Sequence, residues 1–419
     1  MSKILSSIIP GLGERPVIFD GGFGTRLQRL GLPSGVPPAM WNIQNPSAVC
    51  GVHLAYLDAG ADMVTTNTFT SNRWFLGDKA EEATAAGVRV ARGLGRGVVA
   101  LDIGPSGRML EPFGDLPFED AVEGFARTIA AGAAEQPDCI LLETFTDAYE
   151  AKAALIAAQS RSDLPVMVSF SFGENGRLLT GLDARGVAAM FEGLGAAAIG
   201  ANCGMGPDGM SSIISALARS TRLPVFANPN AGLPDMESGQ AVYRLTAEDY
   251  APLACALFNE GAWMVGGCCG TEPDHIRALR ASSRGLSMRA RPANVPEAIT
   301  SASRTYDASE IVNISDALDA RANPRFREIL SGISGADDQA DAAMELAFDA
   351  IDEGADALRV NLDGLADARV YRALIPRLQQ ESRAPLIFTD IDESAQKIAR
   401  RVYNGHTITS EAWKEGGLG

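Results

Sequence analysis

Ala262-Trp263-Met264-Val265-Gly266-Gly267-Cys268-Cys269-Gly270 is the stretch that decides the fold. Four apolar residues make a short buried strand, which breaks at two glycines into a pair of cysteines. The same grammar recurs upstream. Ala198-Ile199-Gly200-Ala201-Asn202-Cys203-Gly204 is again a short apolar run ending in polar residues and a glycine. Working outward, six more runs of this kind lie at 17–20, 62–69, 97–102, 139–144, 165–170 and 223–228. Ala-rich stretches with helical spacing lie between them, at 120–135, 147–159, 184–194, 209–219 and 247–260. Continuous apolar runs alternating with helices of about 10–15 residues imply a parallel sheet covered on both faces. Eight such units in about 270 residues predict an α/β fold, a (β/α)8 TIM barrel. A doubly wound open sheet is the alternative, but no strand here opens into a G-x-G-x-x-G turn.

Polar residues gather at the strand exits: Asp20, Asn67, Glu143, Asn202, Cys203, Asn228, Cys268 and Cys269. In a barrel these all face one rim, where barrel active sites are built. Three thiols at the ends of two strands can hold one Zn²⁺ and leave its fourth position open, as catalytic zinc requires. Adjacent cysteines diverge on a strand or helix, whereas a glycine-flanked turn lets both point at one ion. The plain alternatives for the Cys-Cys pair are core packing and a vicinal disulfide. The separation of about 65 residues between Cys203 and Cys268 is not a zinc-finger spacing. Cys50, Cys139 and Cys255 sit in apolar contexts and read as core filler.

The chain has 419 residues, 46% hydrophobic and 21% charged, with a net charge of −16. That sign disfavours nucleic acid, whose binding is driven by basic surface, and disfavours anionic membranes. The N-terminal apolar stretch is too short for a secretory signal, and no run approaches the ~18 residues of a membrane span. Six cysteines in a chain of this length make no disulfide scaffold, so a reducing cytoplasm is expected.

Around 284–310 the character changes. Ser287 to Pro296 carries Pro, Arg and small residues without a lasting period and reads as linker. The expected domains are therefore a barrel over 1–285, a linker over 286–308 and a smaller, incomplete α/β domain over 309–419. In the last, strands are expected at 311–314, 358–362, 385–390 and 406–409, with helices at 336–353, 367–380 and 393–402. Four βα units are half a barrel, so this domain is expected to serve docking or dimerisation, its open sheet edges needing cover.

Residues 10–285, approximately, resemble the homocysteine S-methyltransferase family, which includes the N-terminal module of cobalamin-dependent methionine synthase and betaine–homocysteine methyltransferase. Asn202-Cys203-Gly204 and Gly267-Cys268-Cys269-Gly270 resemble its zinc signature. Asp20-Gly21-Gly22-Phe23-Gly24-Thr25 resembles the first-strand motif that holds the amino acid end of homocysteine. Thr66-Asn67-Thr68-Phe69, Asp102-Ile103-Gly104-Pro105 with Leu110-Glu111-Pro112, Glu143-Thr144 and Pro229 to Pro234 complete the set. The tail is similar to the opening of the pterin domain that follows this module in methionine synthase. There Asn323-Pro324, Arg325-Phe326 and Val360-Asn361 match, while Ser315 to Asp319 replaces the folate motif.

The resemblance implies one Zn²⁺ per chain on Cys203, Cys268 and Cys269, which carry the catalysis. It implies homocysteine bound by Asp20, Gly21, Gly22, Asn67, Glu143 and Asn202. Glu143 would receive the ammonium, and the Gly21 and Gly22 amides the carboxylate. The implied reaction is methyl transfer to the homocysteine thiol, giving methionine. Methylcobalamin carried by a separate corrinoid-binding protein is the expected donor, as in a split methionine synthase. Betaine or a sulfonium compound is the alternative. Thr70 and Thr144 stand where betaine enzymes resemble one another in having Tyr, and Trp41 and Trp74 are candidates for an aromatic wall around an onium donor. A zinc-stabilised scaffold without catalysis is the non-enzyme alternative.

Overall fold

Inward-facing residues alternate along each strand of a barrel, and here that alternation is apolar until its last step. The eight strands, in chain order, are β1 (Val17–Ile18), β2 (Met63–Thr65), β3 (Val98–Ile103), β4 (Cys139–Phe145), β5 (Val166–Phe170), β6 (Ala198–Asn202), β7 (Val225–Asn228) and β8 (Met264–Val265). In the computed structural model, which describes residues 5–237, 240–365, 367–390 and 392–407, they form one parallel sheet. Its order is β1-β8-β7-β6-β5-β4-β3-β2. Val17, Phe19, Met63, Val98, Ala100, Cys139, Leu141, Met167, Ala198, Phe226 and Met264 form one buried cluster inside it. Leu5, Ile9 and Leu12, from the segment before β1, pack into the same cluster. One inward step further along, the strands carry Thr65, Asp102, Glu143, Ser169 and Asn228, and β6 carries Asn202 two steps on, past Gly200. The barrel floor is therefore apolar and its rim polar. Gly200 makes room for a floor side chain, because a Cβ there would lie 2.6 Å from Cγ of Phe226.

Side chains close the seam between β1 and β2. The Asp62 N–H donates to the Ile18 carbonyl at 2.8 Å, and the Asp62 carboxylate accepts from the Ile18 N–H at 2.8 Å. Arg15 and Arg280 both pair with that carboxylate. At the rim end of the seam, Asp20 accepts from the Thr65 N–H at 2.8 Å.

Helices Phe23–Arg29, Pro46–Ala59, Ala80–Arg92, Phe118–Ala133, Ala148–Arg161, Ala184–Gly193, Pro207–Ser220, Ala247–Glu260 and Pro273–Ser282 alternate with the strands, as expected for a TIM barrel. A short antiparallel hairpin, Asp235–Glu237 with Gln240–Val242, follows β7. Nothing in the sequence pattern announced it. Cys139 is fully buried, and burial pushes its thiol up to about 12. Cys50 and Cys255 are only partly buried, so they are not the core filler expected. They lie on the outer helices, where one side of a residue stays near water.

The chain divides into two compact units, one of Met1–Leu179 and Phe191–Val295, the other of Thr180–Met190 and Pro296–Gly419. The second holds a three-stranded parallel sheet, β9 (Ile314–Asp319), β10 (Ala357–Asn361) and β11 (Leu386–Phe388), in that order. Helices Pro324–Gly332, Ala336–Asp352, Arg369–Glu381 and Glu393–Val402 accompany it. Leu318, Phe326, Leu346, Val360, Leu374 and Phe388 are among its core residues.

Three expectations for this region are corrected. The first tail strand begins at Ile314, not Ile311, because Val312 is 85% exposed and cannot belong to a buried strand. The stretch read as linker contains an antiparallel hairpin, Ala298–Thr300 with Thr305–Asp307, whose ladder gives those residues regular partners. His406 forms an isolated antiparallel bridge with Thr300, so it does not extend the parallel sheet. Ile408 and Thr409, expected in that last strand, lie outside the described residues. Among the described residues, no helix is long and apolar enough to cross a membrane.

Candidate metal and substrate site

A cavity of about 310 Å³ opens at the polar rim. Cys203, Cys268 and Cys269 line it together with Asp20, Asp102 and Glu143. Gly21, Gly22, Phe23, Asn67 and Phe69 contribute to the rest. Its size is within the range of small-molecule sites.

The three sulfurs lie within 4.8 Å of one another, with Cys203 Sγ and Cys269 Sγ 4.0 Å apart. Sulfurs bound to one tetrahedral zinc at about 2.3 Å would be about 3.8 Å apart, so the donor set fits that ion. Backbone bonds hold the turn. The Cys268 N–H donates to the Pro229 carbonyl at 2.8 Å, and the Cys269 carbonyl accepts from the Ala231 N–H at 3.0 Å. The Thr271 hydroxyl donates to the Cys268 carbonyl at 2.7 Å. Gly22 must be glycine, since a Cβ would come within 2.6 Å of the Cys268 carbonyl oxygen. Cys203 sits at φ 59°, in the left-handed region, with its N–H bonded to the Asn228 carbonyl at 3.1 Å. A non-glycine residue held there costs about 1–3 kcal/mol, and such strain gathers at functional sites.

The electrostatics of the cluster also point to a cation. Two thiolates about 4 Å apart repel by ~4 kcal/mol at an effective dielectric of about 20. Hydrogen bonds from Cys268 and Cys269 draw the Cys203 thiol down to about 3. The same bonding pushes Cys268 well up and Cys269 up to about 12. A divalent cation would relieve this frustration.

Glu143 ends the inward row of β4 where the ladder loses its regularity. The ladder between β4 and β5 shifts register between Leu142 and Phe145, and Thr144 has φ 65°. Bulges of this kind re-aim side chains next to active sites. Burial pushes the Glu143 carboxyl up to about 7, against a hydrogen bond with Asp102 that lowers it. Burial also holds Asp20 and Asp102 well above the usual carboxylate range.

The structure brings most of the expected residues together, but gives several a different setting. Asn202 was expected to touch substrate. It is fully buried and is not among the residues lining the cavity. Its Oδ1 accepts from the Thr144 N–H at 2.9 Å and the Ser169 hydroxyl at 2.7 Å, and its Nδ2 donates to Thr144 Oγ1 at 2.7 Å. Its Nδ2 also lies 3.9 Å from Cys268 Sγ. The Gly22 amide, expected to take a carboxylate, already donates to Thr271 Oγ1 at 2.9 Å. Asn67 lines the cavity while its Nδ2 donates to the Pro38 carbonyl and to Asn42 Oδ1, each at 2.8 Å. Trp41 and Trp74 are not among the lining residues. Trp74 instead packs edge-on against Phe125 at 5.2 Å.

Two residues escaped the sequence reading. Asn230 hydrogen-bonds Cys203 and has a buried Oδ1 without a partner among the described residues. It stands in a quoted motif, but nothing marked its role. Tyr243 hydrogen-bonds Cys269 from just beyond the unforeseen hairpin, and no sequence signal pointed to it.

A sequence profile described as homocysteine S-methyltransferase matches residues 17–283. Over 93% of its length the chain is 31% identical to a methionine synthase of Mycobacterium tuberculosis, covering 35% of that protein. With a methionine synthase of Mycobacterium leprae the identity is 28%, over 99% of this chain and 37% of the relative. The chain thus spans about a third of the length of these curated relatives. Among solved structures, the apo form of the homocysteine methyltransferase MmuM from Escherichia coli matches with a TM-score of 0.51 at 25% identity, covering 64% of this chain and 97% of that one. The metallated form of MmuM matches with a TM-score of 0.56 at 22% identity, covering 67% and 100%, a likeness of fold.

Proposed function

The chain belongs to the homocysteine S-methyltransferase family, and from that premise we propose that it transfers a methyl group to the thiol of homocysteine, giving methionine. The observation that carries this reading is the placement of three convergent cysteine sulfurs and a rim of carboxylates in one cavity of about 310 Å³. Cys203, Cys268 and Cys269 would hold Zn²⁺, which when bound would acidify the substrate thiol.

The chain's own residues do the rest. Glu143 receives the ammonium and so fixes which end of the substrate faces the sulfurs. Phe23 and Phe69 keep the cavity partly apolar, which favours an unsolvated, nucleophilic sulfur. The sulfur lone pair forms the new S–C bond, and the bond from the methyl group to its carrier breaks with its electrons left on the carrier. No proton moves at that carbon. None of the three histidines is among the lining residues. His53 lies buried behind Phe23, their rings 4.7 Å apart, and burial lowers it to about 3. His275 is tied into the helix cap at Glu272.

Methylcobalamin on a partner protein is the donor in this reading. The matches to methionine synthases, which extend into the tail, support it, and so does the placement of Trp41 and Trp74 away from the lining. The barrel of residues 1–285 carries the site, and the tail of 309–419 serves docking or dimerisation. Among the described residues, the two outer strands of its sheet, β9 and β11, each have one strand neighbour, and edges of that kind need cover.

The test is to mix zinc-loaded protein with homocysteine and free methylcobalamin under anaerobic conditions, following the corrinoid spectrum and methionine. Loss of methylcobalamin with matching methionine is expected. Methionine formed from betaine or a sulfonium donor instead, with the corrinoid bands unchanged, would replace the donor assignment. No methionine from any of them would leave the scaffold reading.

A further inference from the structure

We propose that Asp102 is a carboxylate, alongside Glu143, that binds the substrate's ammonium, and that it makes the cavity selective for thiols carrying an α-amino group. The inference rests on the homocysteine reading of the cavity, and it names a residue to which the sequence gave no such role.

Asp102 continues the inward row of β3 after Val98 and Ala100, at the first polar step. Its backbone is clamped on both sides. Its N–H is 3.0 Å from Thr66 Oγ1, its carbonyl accepts from Thr68 Oγ1 at 2.6 Å, and the two hydroxyls are 2.6 Å apart. These bonds fix the backbone from which the side chain projects. It is 3% exposed, lines the cavity and hydrogen-bonds Glu143. Its Oδ1 is buried with no partner among the described residues.

Asp20 is occupied differently. Its two oxygens accept from the Thr65 N–H and hydroxyl at 2.8–3.2 Å, in the clasp that closes the barrel seam. Its acceptor capacity is largely spent within the fold, whereas that of Asp102 is not. A buried acceptor left unfilled costs about 1–3 kcal/mol, and more when it is charged. A hydrogen bond between Asp102 and Glu143 needs one shared proton, and burial and neighbouring charge push both carboxyls up; the group that removes this cost must therefore donate hydrogen bonds and bring the positive charge that lets both ionise. A primary ammonium does both, with three N–H donors. The same cavity holds the three sulfurs, so the ligand that fits is a short aminothiol acid with its amine at the Asp102–Glu143 side.

The test compares L-homocysteine with 4-sulfanylbutanoate, which lacks only the amine, as ligands of the zinc-loaded full chain. Calorimetric titration is run on wild type, Asp102→Ala and Asp102→Asn, with zinc content measured on each. Wild type is expected to prefer homocysteine. Asp102→Ala is expected to weaken homocysteine by about tenfold or more while changing 4-sulfanylbutanoate by less than about twofold, at equal zinc content. Asp102→Asn keeps the shape and a hydrogen bond to Glu143 and removes the charge, so it should also narrow the preference. It decides the matter if the alanine variant does not fold. Equal weakening of both thiols, or an undiminished preference in the variants, overturns the proposal and leaves the methyltransferase reading standing. A wild-type protein that binds neither thiol overturns both.

Discussion

Cys268→Ala retains the barrel but no longer holds zinc, and methyl transfer falls by more than about a thousandfold. Changing a residue that merely supports a metal ligand costs about 10–100-fold in affinity or activity, and Cys268 is itself one of three sulfurs within 4.8 Å. Removing it leaves two donors, too few for the three-ligand set of catalytic zinc sites. The barrel survives because the turn depends on backbone bonds: Cys268 N–H to Pro229, Thr271 to the Cys268 carbonyl, and Ala231 to Cys269. Metal analysis of the purified variant and a methionine assay check the two halves separately. Cys203→Ala and Cys269→Ala behave alike. Activity retained in any one of the three would defeat the metal assignment.

The second large effect is expected at Asn202, which touches Cys268 yet does not line the cavity. Asn202→Leu strands the Thr144 N–H and the Ser169 hydroxyl, both now held by one carboxamide oxygen. Two orphaned donors lower stability by about 2–6 kcal/mol. Thr144 also loses the contacts that hold it at φ 65°. Once it relaxes, the neighbouring Glu143 is no longer aimed into the cavity. The variant should therefore unfold at lower urea and show a raised KM for homocysteine while still binding zinc. A variant with wild-type urea midpoint and KM would show that this network positions nothing.

Much of the fold was legible because the barrel grammar is local. Apolar runs such as Cys139 to Leu142 end in a polar residue, and both β4 and its polar rim follow from that alternation. The cysteine cluster was legible for a similar reason, because Cys203 and Cys268 end strands of the same kind, and glycines mark the turn. What the sequence could not show was how polar atoms are spent. Asp20, Asn202 and Asp102 look alike as strand-end residues. Only the three-dimensional bonding shows that Thr65 occupies Asp20, that Thr144 and Ser169 enclose Asn202, and that one oxygen of Asp102 is left over. The left-handed turn at Thr144 was equally hidden, since a β-branched residue seldom adopts it. In the tail, weak alternation around Ile311 to Ile314 shifted the strand start, and the hairpin at 298–307 lay within a segment whose composition suggested linker.

The central claim is that homocysteine binds through its sulfur at the three-cysteine metal site. Calorimetry in buffers of different ionisation enthalpy counts the protons released on binding. A free thiol has a pKa near 8.5 and carries its proton at pH 7, and a metal ligand must give that proton up. Zinc-loaded protein should release about one proton more per homocysteine bound than zinc-stripped protein does, since the carboxyls facing the ammonium contribute alike in both. Binding without that extra proton, or with equal strength in the absence of zinc, would contradict the account.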